Sequence, residues 1–190
     1  MDTLFSNHTP DAIPAYKLPL SDDDLIMLGR LMAYWAQVDM FVDELIEMLF
    51  SIDYQKRVVL VGDKMVGAKL SILRKGISLC DSPELARAVT TFADLAAAVQ
   101  AKRNHAAHGV WAWYIQPGMD QPELSARKAK DLSDRLRPAE LHDLVSHTAA
   151  ATRAGMDAAQ IARGSETGRY RVRLFYGKED MGDEWHPPQK

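Results

Sequence analysis

Residues 21–51, SDDDLIMLGRLMAYWAQVDMFVDELIEMLFS, carry the pattern that decides the fold. Apolar side chains recur there in alternating steps of three and four residues, which is the spacing of one face of a long helix. These residues are Leu28, Leu31, Trp35, Val38, Val42, Leu45 and Leu49. A second series with a period of seven lies beside them and consists of Met27, Tyr34, Phe41 and Met48. Because this combined face is wider than one helix of a monomeric bundle needs, we expect it to contact both the core and a partner chain.

The boundaries of this first helix and of the third are marked by capping residues. Ser21 with Asp24 three residues later predicts a capping box, and the neighbouring aspartates suit the positive end of the helix. Ser82 followed by Pro83 predicts the start of the third helix, and Gly109 predicts its end. These signals place the third helix over 83–108.

Two further helices and a small β segment complete the predicted order. A second helix is expected over about 54–79, although its three glycines weaken it, and a last helix over about 138–163. Between the third and last helices, VWAWYIQ, PGMDQP and ELSARKAK predict a β-hairpin over about 110–130. The predicted fold class is therefore all-α, an antiparallel four-helix bundle with a small β-hairpin insertion before the last helix.

The chain ends differ in composition from this bundle. Residues 1–20 contain three prolines without periodicity and are expected to form an irregular arm. The bundle occupies 21–164. Residues 165–190 contain GRYRVRLFYG, which alternates as a strand does, followed by a tail expected to be disordered.

Composition and charge narrow the function classes. The net charge of −3 argues against a protein that coats nucleic acid by bulk electrostatics. Cys80 is the only cysteine, which excludes an intramolecular disulfide and a cysteine-based zinc site. His105 and His108 have no third metal ligand nearby in sequence, so we expect neither metal nor cofactor. With no signal peptide and no apolar run of membrane-spanning length recognised, the sequence predicts a cytoplasmic protein without a membrane segment.

Arg103 lies where the third helix would be expected to carry an apolar residue. The apolar stripe of that helix is Leu85, Val89, Phe92, Ala96 and Val99, and the next step of four reaches Arg103. A buried charge is costly unless it is paired. Arg103 is therefore expected either to extend to the end of the bundle, to pair with a carboxylate such as Asp39, or to bind an anion.

His108 closes the third helix and is the second candidate site residue. Asn104 lies one turn before it on the same face, and Gln100 extends that face by another turn. Arg103 and His108 are five residues apart, which is about 140° around an ideal helix, so they do not share one narrow face. A symmetric dimer could pool the Arg and His of two copies in one cleft. The alternative for His108 is an ordinary helix-capping residue.

The chemistry of this residue set suits a phosphodiester. Arg103 would bind the phosphate by two hydrogen bonds and offset transition-state charge. His108 would transfer a proton near neutral pH, and Asn104 would orient the substrate or His108. Such a set allows RNA to be cut by its own 2′-OH without a metal ion.

Further residues close to this motif, three of them basic, are expected to contact RNA. The substrate-binding set is Gln100, Lys102, Arg127 and Lys128. The alternative is a solvated surface of mixed charge. The aromatic residues Trp111, Trp113 and Tyr114 could stack on bases, but packing of the hairpin onto the bundle is the simpler expectation.

The stretch Arg103-Asn104-x-x-x-His108-Gly109, at the end of the third of four helices, resembles the signature of the HEPN superfamily. The placement of Asp39 four residues after Trp35 resembles that of an acidic residue in bacterial members of the group. The tryptophan after the motif, Trp111, is similar to them as well. The resemblance implies homodimers with a composite site and metal-independent endoribonuclease activity. It also implies a role in toxin–antitoxin, phage-defence or RNA-processing systems, in some cases with a nucleotidyltransferase antitoxin as partner.

Two alternatives to an enzyme remain open from the sequence. One is a non-catalytic helical module of the same fold that binds a partner protein or a nucleotide. The other is a structural dimer in which Arg103 pairs internally with Asp39. The enzyme requires Arg103 and His108 to be accessible in a shared cleft, whereas an Arg103 sealed against Asp39 would contradict it.

Overall fold

The computed structural model describes residues 19–115, 120–128 and 131–164, with the side chains of 128 and 131–134 left out. The predicted arm over 1–18 and the predicted strand and tail over 165–190 lie outside these residues. Within them the chain is mostly helical with a small antiparallel sheet. The elements are α1 (Asp22–Leu49), α2 (Tyr54–Val61), α3 (Val66–Gly76), α4 (Pro83–His108), β1 (Val110–Tyr114), β2 (Glu123–Lys128), β3 (Asp131–Leu136) and α5 (Leu141–Gly164).

The ends of α1 and α4 confirm the capping predictions. The Ser21 hydroxyl accepts a hydrogen bond from the amide of Asp24 at 3.2 Å, and the Asp24 carboxylate accepts one from the amide of Ser21 at 3.1 Å. The Ser82 hydroxyl accepts a hydrogen bond from the amide of Leu85 at 3.1 Å. Both starts are therefore local features, since the cap and the amide that it satisfies lie three residues apart.

The predicted second helix is wrong in one respect, because it is two helices. α2 ends at Val61 and α3 begins at Val66, and the chain turns between them at residues 62–65. A side chain at Gly62 would place its Cβ 2.6 Å from the carbonyl oxygen of Val58, so this tight turn requires glycine. As a consequence Val59 and Leu60 of α2 face solvent, while Leu70 and Leu73 of α3 enter the core.

The directions of the long helices follow from paired contacts. Thr152 of α5 donates to the carbonyl of Tyr34 of α1 at 3.2 Å, and Arg163 binds Glu44 at 2.6 Å, so α1 and α5 run in the same direction. Lys102 of α4 binds Glu140, just before α5, at 3.3 Å.

α3 also runs parallel to α1 and antiparallel to α4. A Cβ at Gly76, at the end of α3, would lie 3.3 Å from Leu49 at the end of α1, while Gly67, at its start, lies against Gln100 near the end of α4. The expected strict alternation of four long helices is therefore corrected. The short α2 adds one reversal of the chain between α1 and α3.

The wide apolar face of α1 is used largely within the chain. Phe41 and Met48 of the second series are buried, and a Cβ at Gly155 of α5 would lie 3.0 Å from the Cβ of Phe41. Met27 and Tyr34 are half-buried against the same core. The part of the prediction that assigns this face to the core is therefore confirmed for Phe41 and Met48, and contact with a partner chain stays a prediction.

The β segment has three strands rather than two. β1 pairs with β2, and β2 with β3, both antiparallel, and Val110 lies opposite Arg127 in the register. The third strand, DLSDRL, lacks the aromatic and β-branched residues that mark strands in a sequence. It forms because its backbone pairs with the edge of β2 and because Leu136 is buried in the core.

One helix of the described residues, α1, is long and apolar enough to cross a membrane by length and composition. The helix of a protein core passes the same test, and in this fold Leu31, Trp35 and Val38 of α1 turn into the core.

The contact of α5 with α1 and α4 gives a stability prediction. A Cβ at Gly155 would lie 2.8 Å from Phe92 and 3.0 Å from Phe41, so Gly155→Val should lower the free energy of unfolding. Overpacking of this kind costs about 2 kcal/mol or more. The control is Gly29→Ala at an exposed position of α1, where a Cβ has nothing within 4 Å. This substitution should raise the free energy of unfolding by about 0.5–1 kcal/mol. Urea unfolding of both variants measures this, and equal effects at the two positions would contradict the packing argument.

Candidate functional site

The side chain of Arg103 lies half-buried between α4 and α1. Its guanidinium carbon is 5.2 Å from the centre of the Trp35 ring. Nη1 donates to Asn104 Oδ1 at 3.2 Å, and Nη2 contacts Met32 Sδ at 3.7 Å. Nε is buried and has no hydrogen-bond partner in the described part of the chain. The cation therefore rests on an aromatic face with few conventional acceptors.

The expected ion pair between Arg103 and Asp39 is not formed among the described side chains. Asp39 Oδ1 instead lies 2.9 Å from the Nζ of Lys69, on α3. Burial lowers the pKa of Arg103 from its ordinary value, and the negative charge of Asp39 opposes that shift only in part. Arg103 is therefore not sealed by a carboxylate, and the alternative of internal pairing with Asp39 is not what this structure adopts.

Lys69 is the residue that sequence reasoning missed. Its side chain is 5% exposed, and Nζ lies 2.9 Å from Asp43 Oδ1 as well as from Asp39 Oδ1. Burial alone would lower the pKa of Lys69, but its hydrogen bonds to the two carboxylates outweigh burial and raise the pKa. Lys69 thus stays charged at neutral pH and ties α3 to α1.

A second cation completes this group of charges. Arg57 of α2 binds Asp43 at 2.6 Å and Glu47 at 2.7 Å. Asp39, Asp43 and Glu47 are spaced by four residues and therefore form one acidic row on α1. That row was the sequence signal for a basic neighbour, although it did not show which lysine or arginine would face it.

Gln100 and Lys102 occupy different surroundings on α4. The Gln100 amide lies against Gly67, where a Cβ would be 2.5 Å from Nε2, so Gln100 is held where α3 crosses α4. Lys102 is exposed and pairs with Glu140. Lys102 presents a positive charge to solvent, as the predicted contact with RNA requires. The neutral amide of Gln100 is engaged in the contact between helices.

His108 is the last residue of α4, and its side chain is exposed. No hydrogen bond between described residues joins it to Arg103 or Asn104. Within one chain Arg103 is therefore hydrogen-bonded to Asn104 but not to His108. This agrees with the angle of about 140° that five residues subtend on a helix.

Gly109 follows the last residue of α4, and β2 passes close to it. Its φ of −75° is open to any residue, but a Cβ would lie 2.4 Å from the carbonyl oxygen of His105 and 3.0 Å from the Cβ of Ala126. Trp111 of β1 then donates from Nε1 to the carbonyl of Ala106 at 3.2 Å. The sheet is thus fastened to the end of α4, beside His108.

The structure corrects the expected position of Arg127. This side chain is 2% exposed, stacks 4.3 Å from the centre of the Tyr114 ring and donates to Ser125 Oγ at 3.2 Å. It holds the sheet together and is not available to a substrate in this conformation. Lys128 belongs to β2, but its side chain lies outside the description.

The described residues contain no group of three metal-ligating side chains. What the arrangement offers is a half-buried guanidinium with unused donors, an amide beside it, and an exposed imidazole at the helix end. Such a set can bind an anion and exchange a proton next to it. No protein-family model, curated protein or solved structure matches this chain.

The environment of Arg103 predicts a trade between stability and function. A half-buried cation that lacks a carboxylate partner lowers the stability of the fold because its charge is partly desolvated. Methionine has no charge and packs well on an aromatic ring. Arg103→Met should therefore leave the free energy of unfolding unchanged or raise it by up to about 2 kcal/mol. Arg87→Met, on the exposed face of the same helix, should change it by less than about 0.5 kcal/mol.

Chemical denaturation with matched conditions for the three proteins decides this point. A loss above about 1 kcal/mol for Arg103→Met, with Arg87→Met unchanged, would show that the guanidinium is a structural group.

Proposed function

We propose that this protein is a metal-independent endoribonuclease of the HEPN type that acts as a homodimer. In this proposal α1, α3, α4 and α5 are the four helices of the HEPN bundle, and the β segment is an insertion before the last of them. The observation that carries it is the guanidinium of Arg103, which is held on Trp35 without a carboxylate partner.

The state of Arg103 favours a phosphate as its ligand. Buried donors in native proteins are normally satisfied, and an exception calls for a ligand or a functional reason. A phosphate oxygen pair matches the fork of a guanidinium, and its binding is strengthened by the low polarity near Trp35. Asn104, already bound to Nη1, is placed to contact the same ligand.

The proposed reaction is transfer of a phosphoryl group within RNA. The 2′-OH of one nucleotide attacks the adjacent phosphorus, the bond to the 5′-oxygen breaks, and a 2′,3′-cyclic phosphate and a 5′-OH result. His108 exchanges the proton of the attacking or leaving oxygen, and Arg103 offsets the charge that develops on the phosphate. Lys102, whose side chain is exposed, would contact the RNA backbone, and the sequence-based expectation of a further contact from Lys128 is part of the proposal.

The separation of Arg103 and His108 within one chain is the reason for a dimer. Each chain would contribute both residues, and a two-fold axis would bring Arg103 of one copy towards His108 of the other. The HEPN resemblance further suggests a cytoplasmic role in toxin–antitoxin or phage-defence systems, with an antitoxin such as a nucleotidyltransferase as partner.

Cleavage of RNA in excess EDTA tests the activity directly. His108→Ala should lower the rate by about 10²–10⁴-fold, because a proton-transfer group is lost. Arg103→Ala should lower it by about 10²–10³-fold, because charge stabilisation is lost. Products are separated by gel and their ends analysed for 2′,3′-cyclic phosphate.

This assay has a matched control for each of the two residues. Arg87→Ala on α4 and His142→Ala on α5 remove exposed residues of the same types and should leave the rate unchanged. If the folded wild type binds RNA without cutting any of it, the non-catalytic binding module replaces the enzyme. If it neither binds nor cuts, the proposal fails.

Mixing two inactive variants tests the composite site. Arg103→Ala and His108→Ala chains, unfolded together and refolded, would form heterodimers in which one of the two sites keeps both residues. Activity should return to roughly a quarter of the wild-type value for equal mixing. No recovery, with heterodimers shown by mass spectrometry, would mean that Arg103 and His108 act within one chain.

A further inference from the structure

Arg103 and Asp39 lie close together but do not bind each other. Asp39 is one helical turn beyond Trp35, whose ring the guanidinium covers, and its charge acts on Arg103. Asp39 is also 40% exposed, so its side chain has room to move. A carboxylate and a guanidinium at such a position normally form a bidentate pair. In this structure Asp39 is bound by a different cation.

Lys69 binds Oδ1 of the Asp39 carboxylate. Its Nζ lies 2.9 Å from Asp39 and 2.9 Å from Asp43, and the side chain is almost completely enclosed. The start of α3 delivers it there, since Gly67 allows the α3 backbone to approach the Gln100 amide on α4. Lys69 is thus placed by helix packing rather than by the flexibility of its own side chain.

Removal of the Lys69 charge would change the partner of Asp39. Asp43 would retain Arg57 at 2.6 Å, but Asp39 would have no other cation bound to it in the described structure. Arg103, on which the charge of Asp39 already acts, has a buried Nε without a hydrogen-bond partner among the described residues and could then accept this carboxylate as its ligand. A carboxylate on that guanidinium would occupy the position that an anionic ligand needs.

We infer that Lys69 is a positioning residue that keeps Arg103 open to an anion by holding Asp39 away from it. The inference rests on the proposed function only in taking the anion to be an RNA phosphate. Lys69 itself touches no substrate. It acts through Asp39, so its effect on binding must disappear when Asp39 loses its charge.

A double-mutant cycle measures this dependence. The probe is a 2′-O-methyl RNA oligonucleotide, which binds but cannot be cut, titrated in EDTA at fixed salt. Lys69→Met should weaken binding about tenfold, which corresponds to one competing ion pair of ordinary strength. Asp39→Asn should bind at least as tightly as the wild type. The double variant Lys69→Met with Asp39→Asn should recover to within about threefold of the wild type.

Two outcomes would overturn the inference. If folded Lys69→Met binds the probe as the wild type does, Lys69 does not guard the site. If binding is lost and the Asp39→Asn substitution does not restore it, Lys69 has only a packing role. Circular dichroism and thermal unfolding establish folding, and Lys69→Gln, which keeps a hydrogen-bond donor without the charge, replaces Lys69→Met if that variant does not fold.

A structure of the Lys69 variant separates this inference from the proposed function. We expect the Asp39 carboxylate within hydrogen-bond distance of the Arg103 guanidinium in crystals of that variant. An Asp39 that stays where it is would overturn the positioning role, whatever the RNA result. A wild type that does not bind the oligonucleotide would count against the proposed function, while a moved Asp39 would still support the role of Lys69.

Discussion

The ion pairs between Lys69 and the acidic row of α1 connect the fold to the candidate site. They fasten α3 along α1, with Nζ of the enclosed Lys69 at 2.9 Å from both Asp39 and Asp43. An enclosed lysine of this kind persists only when its charge is matched and its hydrogen bonds are made. The same pairing gives Asp39 a partner other than Arg103, so one electrostatic contact both supports the packing and, in our inference, leaves a second cation available.

Arg103 shows how an apolar stripe can be extended by a charged residue without a salt bridge. Trp35 offers its ring face, Met32 its sulfur and Asn104 its amide oxygen, and none of these carries a negative charge. Each contact is weaker than a carboxylate pair, so the guanidinium keeps capacity for a stronger anion. Arg127 shows the opposite solution, because Tyr114 and Ser125 enclose it within the sheet. Two arginines stacked on aromatic rings therefore differ in access: one is a candidate ligand site and the other supports the sheet.

The geometry of α4 also bears on how the protein would work. Arg103 and His108 lie on different sides of the helix, and the sheet is fastened beside His108 through Gly109 and Trp111. A rigid helix end presents the imidazole to solvent at a defined place, which suits a group that must meet a substrate or a second chain. The proposed dimer is a consequence of this separation and of the fixed helix geometry.

Features set by neighbouring residues were predictable from the sequence alone. The caps at Ser21 and Ser82, the end of α4 at Gly109 and the apolar stripe of α1 depend on spacings of a few residues, so local chemistry determined them. The tertiary structure decided which helices meet. In that structure the predicted second helix is two helices and Arg127 is buried. Phe41 packs against α5, and Asp39 binds Lys69 rather than Arg103. The contacts of Phe41 with α5 and of Asp39 with Lys69 join residues far apart in the chain, and a charge binds one of several distant partners only once packing has set the distances between them.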